Sequence, residues 1–278
     1  MASRCRSIAA RTIALAALSG ALLAGPSALA APFSDDFESN AAGSFPAGWG
    51  DARLVALPNT PIPSATVVET TGPSGAPTRA LRTVDAAAAS RGAFVPVDAG
   101  TLHALAADVR VDRFGESDPG ATTVSDWPVS IGVASLLPGA DLCCFPTAQV
   151  GVFVSTLTRG YRLYAIDGAG TASDIDLGLA AAEGVWRRVE LGVDGATGSV
   201  HTRIVDPVFG TVLVDDARTI AGWSATTFDV VAFLGGQLIP GGTTGLGSAD
   251  NVAWAPVPEP ASAALVALGI AGLARRRR

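Results

Sequence analysis

The stretch from residue 31 to residue 256 predicts an all-β fold, a two-sheet antiparallel β-sandwich. Three observations carry this. Several runs alternate apolar and polar residues with a period of two, glycine and proline punctuate the chain frequently, and no long run has a helical period.

The runs can be taken in order. In Leu105 to Asp112, Ala107, Val109 and Val111 alternate with Asp108, Arg110 and Asp112. Val150, Val152 and Val154 alternate with Gln149, Gly151 and Ser155, and Tyr161 to Ile166 reads as the next strand. Val189, Leu191 and Val193 alternate with Glu190, Gly192 and Asp194, and Val200 to Val205 adds another strand. Asp229 to Leu234 is apolar on both faces, as a central strand of a two-sheet core should be. The segment Asp194-Gly195-Ala196-Thr197-Gly198 reads as a hairpin loop, its glycines free to take positive φ. Asp167-Gly168-Ala169-Gly170 reads the same way, and the polar stretch Gly115 to Asp126 as a long loop. Short strands punctuated this often belong to a sandwich or jelly roll. No internal repeat and no linker divides the stretch, so one domain is expected.

The two ends are processing segments. Arg4, Arg6 and Arg11 precede an uncharged run from Thr12 to Gly25, then Pro26 and Ala28-Leu29-Ala30. This is the order of a secretory signal peptide over residues 1–30, with Ala28 and Ala30 setting cleavage after Ala30. At the other end, residues 257–278 hold Pro258, Glu259 and Pro260, then 14 uncharged residues from Ala261 to Ala274, then Arg275, Arg276, Arg277 and Arg278. As a helix the 14 residues span about 21 Å. That falls short of the roughly 30 Å hydrocarbon core of a bilayer. The segment is a marginal, transient transmembrane helix whose arginines stay cytoplasmic. The alternative is an apolar helix packed on the domain. The arginine cluster and the Pro-Glu-Pro break argue against it.

All 19 basic residues are arginine, and 12 lie between the two ends beside 24 acids, a net charge of about −12 there. Nucleic acid needs clustered cations and is excluded as a partner. Cys5 lies in the signal. The adjacent Cys143 and Cys144 form either a strained vicinal disulfide or a pair of thiols, and without further cysteine or a nearby histidine they make no zinc site.

The array of Pro258-Glu259-Pro260, apolar helix and Arg275 to Arg278 resembles the PEP-CTERM sorting signal of Gram-negative bacteria that make exopolysaccharide. The resemblance implies recognition and cutting near the Pro-Glu-Pro by an exosortase, a transpeptidase-like membrane protease. The protein would be held briefly at the inner membrane, then released to the cell surface or the extracellular space. A second resemblance covers most of residues 33–255. Asp35-Asp36-Phe37-Glu38 and Pro46-Ala47-Gly48-Trp49 open the domain, Trp186-Arg187-Arg188-Val189-Glu190-Leu191 leads to Asp194 and Thr197-Gly198, and Gly235-Gly236 with Ser248-Ala249-Asp250-Asn251-Val252 closes it. This order is similar to secreted domains of the concanavalin A-like jelly-roll type. It implies that first and last strands pair, and that the domain binds glycan, here exopolysaccharide.

If those strands pair, Asp36, Glu38 and Asp250 converge, and their hard oxygens suit a structural calcium. The reading set beside it is that of solvated carboxylates. Catalysis finds little support. Ser173-Asp174-Ile175-Asp176 lacks the flanking glutamates of a Glu-x-Asp-x-Glu hydrolase strand, and Glu116-Ser117-Asp118 falls in the loop. His103 and His201 are the only histidines and read as surface or pocket-rim side chains. For stacking on sugar rings the candidates are Trp127 and Tyr164 first, with Tyr161 and Trp223 behind them, and Tyr164 shares a strand face with Arg162. The expected function is a non-enzymatic surface or matrix protein, with a carbohydrate-binding module as the alternative and a glycoside hydrolase as the least favoured.

Overall fold

The computed structural model describes residues 32–52, 65–84, 90–116, 126–135, 148–166, 172–220, 227–237 and 245–256. The signal, the tail, the cysteine pair, Trp223 and the Asp167–Gly170 turn lie outside them.

The strands follow in the order β1 (Phe33–Asp35), β2 (Gly50–Asp51), β3 (Ala65–Thr71), β4 (Pro77–Thr83) and β5 (Ser90–Gly100). Then come β6 (Leu102–Arg113), β7 (Asp126–Ser135), β8 (Ala148–Val154), β9 (Gly160–Ile166) and β10 (Ala172–Ala180). The last five are β11 (Trp186–Asp194), β12 (Ser199–Val205), β13 (Val212–Thr219), β14 (Phe228–Gln237) and β15 (Leu246–Pro256). They build two antiparallel sheets. One is eight-stranded in the order β13-β12-β11-β6-β15-β4-β3 with β1 also on β15; the other is seven-stranded in the order β10-β9-β8-β7-β14-β5-β2.

The period-two reading explains the core. Ala107, Val109, Val111, Val189 and Leu191 of the first sheet are buried, as are Ile131, Val133, Val150, Val152 and Leu163 of the second. The polar partners in each run point the other way. The hairpin at Asp194 is present, closed by Gly198 at φ 75° and by the Asp194 carboxylate accepting from the Ala196 amide at 2.9 Å. The first and last strands pair as expected, with Phe33 opposite Trp254 and Asp35 opposite Val252. The β15 strand carries a bulge between Asp250 and Ala253, where Asn251 takes φ 48°.

Three central strands of the second sheet depart from simple alternation: β7 over 128–135, β8, and β14 over 230–235 are buried on both faces. All of β8 is buried, Gln149 included, because its outer face is roofed by aromatic side chains of its neighbours.

Candidate functional site

The outer face of the seven-stranded sheet brings Trp127 of β7, Phe153 of β8 and Tyr164 of β9 into one corner. Their ring centroids lie 5.9, 6.3 and 6.0 Å apart, two pairs edge-on and one tilted, as ring quadrupoles prefer. Beneath them lie Ser130, Gln149 and Gly151. The enclosed space is about 10 Å³, room for roughly one water. The Trp127 indole N–H is buried there with no hydrogen-bond partner among the described residues. The Ser130 hydroxyl donates instead to the Leu234 carbonyl at 3.0 Å.

Tyr164 is therefore not an open platform. It is half-buried against Trp127 and Phe153, and burial, with the negative charge of Asp174 beside it, pushes its phenol up to about 12. Tyr161 points to the other face and is 2% exposed in the core, so it cannot stack on a ligand. Next to the corner, Arg162 donates from Nε to Asp174 Oδ1 at 2.5 Å and from Nη1 to Asp176 Oδ2 at 3.2 Å. These two acids are held as ion-pair partners on β10. Farther across the same sheet, Ala52, Ala134, Val230, Ala232 and Leu234 form an apolar cluster with Phe94 against it.

The chain ends build a second node. Thr78 Oγ1 sits 2.7 Å from Glu38 Oε1 and 3.1 Å from Asp250 Oδ2, so Glu38 and Asp250 do converge. The Arg79 amide donates to Glu38 Oε1 at 2.8 Å, and these hydrogen bonds hold the Glu38 carboxyl below its ordinary value. Asp36 goes elsewhere. Its Oδ1 accepts from the Glu38 amide at 3.2 Å within its own loop. The sequence reasoning missed Asp108, which pairs directly opposite Asp250, accepts from Asn251 Nδ2 at 2.8 Å and lies 3.5 Å from Arg188 Nη1. Burial raises both aspartates, Asp250 to about 6. Calcium takes six to eight oxygens, whereas these carboxylates face protein donors. Among the described residues no group of three or more His, Cys, Asp or Glu side chains is arranged to hold a metal ion.

The two histidines differ. His201 is an exposed rim residue, its Nε2 2.6 Å from Asp215 Oδ1. His103 is not at the surface; it is 1% exposed, between Phe228 and Trp254. Trp254 donates its indole N–H to His103 Nδ1 at 2.9 Å, and His103 Nε2 lies 2.7 Å from the Gly100 carbonyl. The alternation of Ala107, Val109 and Val111, carried back to Leu105 and His103, is the signal that could have placed it inward. His103 lies in phase with Leu105, Ala107 and Val109 on the core face of β6, and β15 brings an indole donor to it there.

Beyond the domain, residues 256–278 match the family model described as PEP-CTERM protein-sorting motif. The tail is a PEP-CTERM protein-sorting motif. The match covers Pro258, Glu259, Pro260 and Arg275 to Arg278, and it concerns the tail rather than the domain. No curated protein matches the chain. Among solved structures the chain is similar to lectin II from Ulex europaeus, at 12% identity and TM-score 0.47 over 81% of this chain and 97% of that one. It is also similar to the carbohydrate-binding module CBM66 from Bacillus subtilis, at 9% identity and TM-score 0.40 over 75% and 95%. A sialidase aligns at 11% identity and TM-score 0.47 over 82% of this chain, which spans 18% of that protein's length. The sandwich that precedes the PEP-CTERM tail rests on its own strand pairing. Among the described residues no helix is long and apolar enough to cross a membrane.

Proposed function

We propose that this chain is an exported, non-enzymatic surface or extracellular-matrix protein, delivered by its PEP-CTERM tail to an exosortase-type membrane protease. The observation that carries the delivery is the tail's order: Pro-Glu-Pro, a short apolar segment, four arginines. A structural role for the domain is supported by the filled outer face of the seven-stranded sheet, where aromatic rings and an apolar cluster stand in place of a groove. Absence of catalysis is supported by the acids of β10, both bound to Arg162. Deleting Pro258 to Arg278 tests the delivery. The truncated protein is expected to leave the membrane fraction during export, and unchanged membrane association overturns the reading.

A second reading, recognition of exopolysaccharide, draws on the aromatic corner. Its unpartnered Trp127 N–H is a ready donor to a sugar hydroxyl if the corner opens. Glycan-array binding by the purified chain, lost in Trp127→Ala, would support it. No binding to any polysaccharide would leave the structural role alone.

A further inference from the structure

The outer face of the eight-stranded sheet holds a trough of about 600 Å³. Its floor is made of Ala253 and Ala255 of β15, Ala104 and Ala106 of β6 and Gly192 of β11. Strand register sets the lining in two rows. Ala255 is opposite Ala104, Ala104 opposite Gly192 and Gly192 opposite His201; Ala253 is opposite Ala106, Ala106 opposite Glu190 and Glu190 opposite Arg203. β1 closes one end, with Ser34 opposite Ala253, and His201 and Arg203 of β12 close the other. From β1 to β12 is four interstrand steps, roughly 19 Å. The floor is methyl groups and a glycine, so it lies below the longer side chains around it.

The end of β12 carries the opposite shape. The turn from Asp206 to Thr211 presents Val208 and Phe209, 59% and 81% exposed, and Val212 and Leu213 of β13 are exposed beside them. Four of the five exposed large apolar side chains among the described residues belong to this one hairpin. Surface turns are ordinarily built from polar residues and glycine. Here Asp206 braces the turn from below. Its Oδ1 accepts from the amides of Val208 and Phe209 at 3.0 and 3.2 Å, and its Oδ2 lies 3.3 Å from Arg187 Nη1. Two apolar side chains are thus held out on a turn already ordered, so burying them costs little further ordering.

We infer that the hairpin tip Val208-Phe209 of one copy docks in the trough of a second copy. Three observations select this occupant. The first is shape and polarity: a raised apolar tip and a sunken apolar floor lie on one molecule, and clustered exposed apolar side chains mark a contact surface. The second is charge. The tip residues carry none, so they enter without breaking the pairs at the wall, Arg203 with Glu190 and His201 with Asp215. The third is area. Four side chains cover far less than the roughly 1,200 Å² of a stable interface. The contact is therefore weak, and the protein stays dispersed until it is concentrated, as at a surface.

Symmetry sets how the contact propagates. The line from trough to tip runs along β12, and the turn continues that direction, whereas the trough opens at right angles to the sheet. A two-fold axis exchanging tip and trough would reverse that line. The partner's tip would then lie along the sheet face and not enter it. The contact is heterologous and does not close as a pair, so assembly grows past the dimer. This deepens the structural reading of the domain and rests on it for its setting; the contact itself needs neither delivery nor glycan.

The test uses the full chain in non-ionic detergent, which occupies the apolar tail, as a mixture of isotopically heavy and light copies. A benzophenone amino acid replaces Phe209 and keeps its aromatic bulk. Mass spectrometry is expected to find heavy-to-light crosslinks into peptides holding Ala104 to Ala106 or Ala253 to Ala255. They should be several-fold above those from the same probe at Leu157, which is 50% exposed and on neither feature. Gly192→Ile fills the floor. A Cβ there meets nothing nearer than His201 Cβ at 3.8 Å, and a β-branched residue suits a strand. It is expected to reduce the crosslinks about five-fold or more. Sedimentation is expected to show species beyond the dimer that grow with concentration and disappear in Phe209→Ser. Each chain carries a net charge of −6, so salt should strengthen the association by screening repulsion. Equal crosslinking from the two probes, crosslinks within one copy only, growth that stops at the dimer, or association that salt dissolves each overturns the inference. Delivery is read by fractionation and this contact by crosslinks, so either can fail alone.

Discussion

Asp108 and Asp250 face each other directly across β6 and β15, both almost without solvent, with Asn251 bonded to both. Like charges in directly opposed cross-strand positions repel. Thr78 tightens the conflict: its one hydroxyl proton lies between Glu38 and Asp250. A protonated Asp250 resolves this by donating to Thr78, which then donates to Glu38.

The pH dependence follows. Asp250 is raised from 3.8 to about 6 by burial first and then by Asp108 and Glu38. Between those values the folded state holds the proton and the unfolded state does not, so this group's contribution to stability falls as pH rises from about 4 to 6. Asp250→Asn removes the buried charge. We expect it to stabilise the protein at pH 7 by on the order of 1–2 kcal/mol, with little change at pH 4. Urea midpoints at the two pH values measure this, and equal effects at both would refute it.

His103 acts in the opposite direction. Its value is lowered, chiefly by burial. Neutral His103 donates from Nε2 to Gly100 and accepts at Nδ1 from Trp254. Protonation would set two N–H groups against each other. The unfolded state takes the proton first, so this contribution is complete above pH 6.5 and fades as pH falls below it. His103→Phe leaves the Trp254 N–H and the Gly100 carbonyl without their partner. It should cost about 2–4 kcal/mol at pH 7.5 and flatten the acid limb of a thermal-melt series; an unchanged acid limb would show that another group governs it.

Gly132 and Gly151 are direct partners on β7 and β8. A Cβ on Gly132 would lie 2.2 Å from the Val150 carbonyl oxygen, a backbone atom that cannot step aside. Gly132→Ala is expected to destabilise by about 1–3 kcal/mol, the scale of core overpacking. Chemical denaturation reads this directly, and a neutral result would mean that the two strands separate more easily than their pairing implies.

The orphan N–H of Trp127 makes a separable claim. Trp127→Phe keeps an aromatic ring against Phe153 and Tyr164 and removes the unsatisfied donor. Loss of ring area and relief of a buried, unpaired polar group oppose each other, each about 1–2 kcal/mol. Stability should therefore change by less than about 1 kcal/mol. A loss well beyond that would reveal that the indole nitrogen has a partner, such as a bound water.

Much of the fold was legible because strand periodicity depends only on which residues face the core. Val109, Leu191 and Val152 could be placed inward from their neighbours alone. The site was harder to read because its chemistry depends on register. Asp108 alternates outward like any surface acid, and nothing local to it says that β15 will set Asp250 opposite. Tyr164 shares a face with Arg162 as the pattern implies, yet Trp127 and Phe153 come from other strands to bury it. His103 differs: its phase with Leu105 and Ala107 already places it inward, and only its partner, a residue 151 positions away, depended on register. The sorting motif of the tail was legible because its signal is linear, an order of residues that needs no folding to recognise.

The pairing of Phe33 with Trp254 has a mechanical consequence. The strands are antiparallel, so the chain enters β1 and leaves β15 at the same end of the ladder. Tension between the two ends therefore loads this pair in peeling, one backbone bond after another, and not in shear across all of them together. The three-residue β1 is the fastening that gives way first. A protein pulled at both ends during export would shed that strand early and transmit little force to the sheets behind it.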